Sequence, residues 1–272
     1  MRAALVVVLL AGCGPSVRAP ERPRPPEIVD VATGERIGFE TLVDRLAEAR
    51  VVYVGERHDE AGDHDVQRRI LEALAARRPG LALGFEMFQR PYQAVLDDYA
   101  AGRIDEPALL ERTEWERRWG FDFAFYRPLV GFGREHGATL VALNAPQEVT
   151  RTIAREGLDG LPEDTRAALP ELDRSDPAHR ARVEEALREH PRMTDAMLER
   201  FYTAQLVWDE TMATSVAEHD GPMIVFAGAM HVARDAIPAR AARRGATPFL
   251  IVLPEDELPE NAPVDYVWLR GR

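Results

Sequence analysis

The sequence contains no lysine: all 34 basic residues among its 272 are arginine. With 46 acidic residues the formal net charge is −12, which argues against a groove for nucleic acid or a polybasic membrane surface. An anionic ligand would need a local cluster of arginines. Cysteine is nearly absent too. Cys13 is the single one, so no disulfide forms within the chain. No repeat recurs at solenoid spacing, and the longest apolar run, at 3–10, is too short for a permanent membrane span. What remains, 46% hydrophobic and 29% charged residues, is the composition of a soluble globular protein long enough to bury a sizeable core, as one domain with insertions or as two.

The first residues supply an address. Met1-Arg2 and the apolar run after it read as a secretory signal, and the run ends in Leu10-Ala11-Gly12-Cys13, which resembles the lipobox of bacterial lipoproteins. In that motif the cysteine is lipidated and becomes the first residue of the mature chain. Gly14 in place of an aspartate favours an outer-membrane leaflet facing the periplasm, so a lipid-anchored envelope protein is expected, touching the membrane through its anchor alone. The expected organisation is a signal peptide at 1–12, a Pro/Arg-rich tether at 13–27 and an α/β domain over 28–272.

Within that domain, Val51-Val52-Tyr53-Val54-Gly55 reads as a strand covered on both faces, stopping at a glycine and releasing Glu56, Arg57, His58 and Asp59. Similar apolar runs at 81–85, 139–143, 223–227 and 248–252 end in Glu86, Asn144, His231 and the tail, which holds one more short run at 266–269. Helical spacing marks 39–49, 63–78, 89–100, 106–113 and 127–136, then a helix from Pro146, one from Asp176-Pro177 and the longest from about Thr194. In the last, Met197, Phe201, Trp208 and Met212 form one stripe with Asp209 at its edge, half-buried. Strands alternating with helices predict a mainly parallel sheet flanked by helices. Helical insertions at about 89–137 and 158–220 are expected to pack as a smaller cap over one end.

In a parallel sheet every carboxyl end points the same way, so Glu56, His58, Glu86, Asn144 and His231 converge on one edge. Such residues can serve as general acid and base, with Asp209 orienting a histidine, or hold a divalent metal through Glu56, His58 and His231. A satisfied core histidine and a capping glutamate are the plainer reading of His231 and Glu86. His64 falls in a helix's first turn, off the apolar stripe, from where it could reach the mouth of the site, although solvent is the more ordinary surrounding there. Arg57, Arg90 and Arg127 are candidate partners for a ligand carboxylate. Tyr92, Tyr126 and Tyr202 are candidate phenolate ligands for iron, and Trp115, Trp119, Phe121, Phe123 and Phe125 would form an aromatic wall or the cap's core.

The ordered motifs Gly55-Glu56-Arg57-His58-Asp59, His64 with Gln67, Gly84-Phe85-Glu86, Trp115-Glu116, Trp119-Gly120, Leu143-Asn144-Ala145-Pro146, Trp208-Asp209-Glu210-Thr211-Met212-Ala213 and Gly228-Ala229-Met230-His231-Val232 resemble those of the ChaN-like haem-binding lipoproteins. The resemblance spans about 50–240. It extends to a wider group with the Tiki and TraB proteins and the erythromycin esterases, marked by two Gly-x-x-His motifs, here ending at His58 and His231, and a glutamate, here Glu86. It implies a lipid-anchored protein of iron or haem acquisition, with haem held by tyrosine and histidine, His58 and His64 being the histidines in view, and with room for a homodimer sharing the site. The wider group implies the alternative, a hydrolase, metal-dependent or not, working through Glu56, His58, Glu86, Asp209 and His231.

Overall fold

The structure, a computed structural model, describes residues 27–188 and 193–270. The expected signal peptide, Cys13 and all of the tether but Glu27 lie outside the described residues. In chain order the elements are β1 (Glu27–Asp30), β2 (Arg36–Ile37), α1 (Phe39–Ala47), β3 (Val51–Glu56), α2 (Ala61–Ala75), β4 (Ala82–Gln89), α3 (Gln93–Ala100), α4 (Glu106–Arg112), α5 (Trp115–Arg118), α6 (Phe123–His136), β5 (Leu140–Asn144), α7 (Gln147–Glu156), α8 (Glu163–Ala167), α9 (Pro177–Arg188), α10 (Asp195–Glu218), β6 (Met223–Gly228), α11 (Ala229–Val232), α12 (Ile237–Arg243), β7 (Phe249–Glu255) and β8 (Tyr266–Leu269).

The strands make one sheet ordered β2-β1-β8-β7-β3-β6-β4-β5. From β8 to β5 all neighbours are parallel; β1 and β2 extend one edge antiparallel. The fold is the expected α/β arrangement, with the tail's short apolar run serving as a further parallel strand, β8. Strand β1 is only four residues long, too short for its alternation to stand out in the sequence.

β3 and β6 lie side by side at the centre, and every residue of both is buried. Alternate side chains serve opposite faces. Val52, Val54, Ile224 and Phe226 pack under α1, α2 and the first insertion, while Val51, Tyr53, Val225 and Ala227 pack under α10 and α12. Each buried valine, leucine or phenylalanine stabilises the fold by about 1.5–3 kcal/mol, so these two strands are fixed from both sides.

The insertions divide between the two faces and touch where Arg90 reaches Glu218 of α10 at 3.0 Å, while Arg118 of α5 reaches Glu148 of α7 at 2.9 Å. Helix α10 is buried nearly all round in its second half, between α7, α9 and α12. That replaces the expected single stripe and puts Asp209 fully inside, at 0% exposure rather than half-buried. No described helix is long and apolar enough to cross a membrane.

Candidate functional site

The ladder sets Gly55 opposite Ala227 and Glu56 opposite Gly228, so the two Gly-x-x-His stretches leave the sheet side by side. Both glycines are dictated by close approach. A Cβ at Gly228 would stand 2.9 Å from the His58 Cε1, and one at Gly55 would stand 2.6 Å from the Leu253 Cδ1.

On the β3 side, Glu56 is buried beneath His58. Its Oε1 lies 2.8 Å from the His58 Nδ1 and accepts the Tyr126 hydroxyl at 2.9 Å, and its Oε2 faces the His64 Nδ1 at 3.3 Å. His64, for which solvent was the expected surrounding, is buried. Its ring stacks on Phe125 with centroids 4.9 Å apart, and its Nε2 lies 3.2 Å from the His58 carbonyl. The cause is local: Glu60 caps α2, and Asp63 accepts the Arg57 backbone N–H at 2.9 Å, which folds the first turn under the strand end. Burial alone would lower the pKa of His58, but its hydrogen bond to Glu56 and the charge of Glu86 outweigh that and raise it. Burial, then Glu56, pushes the Tyr126 hydroxyl far up. It therefore serves as a neutral donor to the carboxylate rather than as an iron-binding phenolate.

The β6 side repeats the plan with different parts. Asp209 Oδ1 lies 2.6 Å from the His231 Nδ1, and its Oδ2 lies 2.8 Å from the His179 Nε2. Burial would raise the Asp209 pKa; His231 and His179 overcome it and hold the carboxyl well below the usual range. For His231, burial is opposed by the charges of Glu86 and Asp209, which push it up to about 9. Glu86 stands between the two sides, with Oε2 accepting the Gly228 N–H at 2.6 Å and Oε1 3.4 Å from the His231 Nε2. Asn144 holds the backbone there, donating to the Glu86 carbonyl at 2.9 Å.

Sequence reading missed His179. Asp176 accepts the backbone N–H groups of Ala178 and His179 at the start of α9, turning the imidazole inward. The motif Asp176-Pro177 marked the helix, but only the packing of α9 on α10 reveals its partner, 30 residues away.

His58, Glu86, Asn144 and His231 line a cleft of about 260 Å³ flanked by Trp119 and Trp208, with Arg118 at the rim. The edges of Trp119 and Phe121 meet the His58 ring at centroid distances of 4.7 and 4.9 Å. Trp115 and Phe123 belong to the core beneath. Of the expected site residues, Glu56, His64 and Asp209 support the cleft from behind. Arg57 is not there: its guanidinium turns to Asp63 at 3.2 Å and Asp256 at 3.6 Å. Arg90 pairs with Glu218 and Arg127 with Glu106. Tyr92 donates to Glu114 at 2.5 Å, and Tyr202 lies between Arg174 and Arg180.

The residues do not suit a bare divalent metal. Among the described residues no group of three or more His, Cys, Asp or Glu side chains is arranged to hold one. Glu56, expected beside His58 and His231 as a ligand, commits its Oε1 to His58 and Tyr126 and has its Oε2 buried against His64 instead of facing the cleft. They do suit haem as a one-sided seat. A histidine whose Nδ1 is held by a carboxylate keeps its Nε2 for iron. The volume falls below the roughly 300–1,000 Å³ of pockets that enclose a whole ligand, so a macrocycle would lie across the mouth against the aromatic edges.

Residues 42–240 match the protein family described as haem-binding uptake, Tiki superfamily, ChaN. The chain belongs to this family. The fold is shared with ChaN of Campylobacter jejuni, whose structure is described as showing cofacial haem binding. The two are 18% identical with a TM-score of 0.77, over 91% of this chain and 97% of that one. Arabidopsis thaliana carries a relative, the chloroplastic protein RETICULATA-RELATED 5, 30% identical over 131 residues; the match spans 45% of this chain and 17% of that protein's length. An open-conformation mutant of the erythromycin esterase EreC is 15% identical over 85% of this chain and 78% of its own, at a TM-score of 0.46.

Proposed function

We propose that this ChaN-family protein binds haem at the mouth of the carboxyl-edge cleft, as a lipid-anchored component of iron or haem acquisition. The observation that carries the reading is His58. Its side chain is 30% exposed at an aromatic-edged mouth, and its Nδ1 is 2.8 Å from a buried carboxylate. Iron bound there would supply the Lewis-acidic centre; this chain supplies the imidazole, its orientation through Glu56, and the walls of Trp119 and Phe121. His64 acts behind Glu56, fixing the carboxylate rather than touching the macrocycle. A seat this shallow leaves one face of haem uncovered, which supports a second copy of the chain closing over it, in keeping with the cofacial haems named for the Campylobacter jejuni protein. The envelope address, an outer-membrane leaflet facing the periplasm, rests on Leu10-Ala11-Gly12-Cys13. Haemin titration should give a saturable Soret band that His58→Ala removes and Arg57→Ala leaves in place. A band unchanged by His58→Ala would overturn the reading.

One observation favours a second reading. The buried chain Glu86, His231, Asp209, His179 places an acid–base pair in the cleft, and a binding protein has no evident use for it. A metal-free hydrolase would use Glu86 as general base toward water and His231, charged at neutral pH, as acid toward the leaving group. Turnover of an ester or peptide panel lost in both Glu86→Gln and His231→Gln, with the fold intact by circular dichroism, would support it. Inactivity of the wild-type protein across the panel would end it.

A further inference from the structure

Beside the cleft runs a second depression of about 400 Å³ between α7, α9 and α10. Its walls are hydrocarbon: Val183, Leu187, Phe201, Ala204, Trp208 and Met230. Met230 is one of two large apolar side chains left exposed among the described residues, at 37%. Arg151 stands at its rim. This arginine has no ion pair, hydrogen bond or ring contact among the described residues, whereas Arg155, one turn further along α7, pairs with Glu156 at 3.4 Å. In a chain of net charge −12, an arginine with no acid among the described residues, beside an apolar groove, is a complementary surface for one kind of ligand, a hydrocarbon body ending in a carboxylate.

We infer that this groove is a binding site for a long-chain fatty acid, with the chain along the aliphatic wall and the carboxylate on Arg151. The volume lies in the roughly 300–1,000 Å³ range of small-molecule sites. No imidazole or phenolate lines the groove, so iron finds no strong ligand there and haem is the poorer occupant. The groove is nonetheless joined to the cleft. Trp208 borders both, and Gln205, also in the groove's wall, has its side-chain nitrogen 3.3 Å from the His231 Nδ1.

The test uses the delipidated full chain and cis-parinaric acid, whose fluorescence rises in apolar surroundings, with oleate as competitor. Saturable binding at micromolar concentration, displaced by oleate, is expected. Ala186→Trp, at an exposed position on the groove's lip, should weaken it by about tenfold through loss of space for the chain. Arg151→Glu should weaken the acid by a similar factor of about ten while leaving its methyl ester unaffected. Haemin titrations should be unchanged in both variants, which separates this site from the haem seat. Absence of saturable binding, binding undiminished in Ala186→Trp, or haemin displacing parinaric acid mole for mole would each overturn the inference.

Discussion

The two Gly-x-x-His stretches end in histidines that are held alike and exposed differently. His58 and His231 each present Nδ1 to a buried carboxylate, at 2.8 and 2.6 Å, with a second histidine behind it: His179 hydrogen-bonds Asp209 at 2.8 Å, whereas His64 only faces the Glu56 Oε2 at 3.3 Å. Yet the His58 side chain keeps 30% exposure and has aromatic edges for neighbours, whereas that of His231 keeps 12% and faces Glu86. The same local device thus yields an imidazole free to meet a ligand on one side and an imidazolium locked in a charge network on the other. What differs is the cover. The first insertion lays rings around His58, and the second buries Asp209 of α10 under α9.

Breaking the buried half should cost most. Asp209→Ala removes the carboxylate from between two imidazoles and should destabilise the protein by about 3–5 kcal/mol. Glu56→Ala should cost roughly half as much, because His58 can turn to water. Equal shifts in urea midpoint would erase the contrast.

Next comes pH. The folded-state pKa of His231 is raised from 6.5 to about 9, so its contribution is complete below the lower value and is lost as pH rises through the higher one. The swing should be on the order of 3 kcal/mol. His231→Gln should flatten that part of the urea profile, and a profile equally steep in the variant would place the proton elsewhere.

A smaller effect is expected from Gly228→Ala, whose Cβ would press on His58 from 2.9 Å. It should cost about 1–3 kcal/mol and tilt the ring, seen as weaker haemin binding with the His231 titration by NMR unmoved. Smallest of all, Arg57→Ala should change stability by less than about 1 kcal/mol and haemin affinity hardly at all, since its pairs lie off the cleft and the buried Asp63 keeps Arg270 at 2.8 Å and the backbone N–H of residue 57 at 2.9 Å.

Much of this site was legible in the chain. Glu56, His58, Glu86, Asn144 and His231 sit one to four residues beyond apolar runs, and parallel strands carry such residues to one edge whatever their separation in sequence. His64 shows where legibility ends. Its place in a helix's first turn describes it as solvated, and only the way Glu60 and Asp63 fold that turn under β3 buries it against Glu56. Arg57 fails in the opposite sense, adjacent to the site in sequence and turned away in space. Asp209 was placed at the edge of a stripe, but the second half of α10 is buried nearly all round, and a helical stretch with so little solvent face carries little periodic signal.

The sequence by itself determined the parallel strands of the sheet, the edge at which the strand-end side chains gather and the family, because alternation, strand-end glycines and ordered motifs are local properties of the chain. Tertiary structure alone decided which imidazole is open and which is locked. It also decided that His179 completes the Asp209 network and that Arg151, unpaired among the described residues, stands over an apolar groove. Those depend on which helices cover which strand ends, and exposure and charge pairing are set by neighbours far along the chain, which no local pattern records.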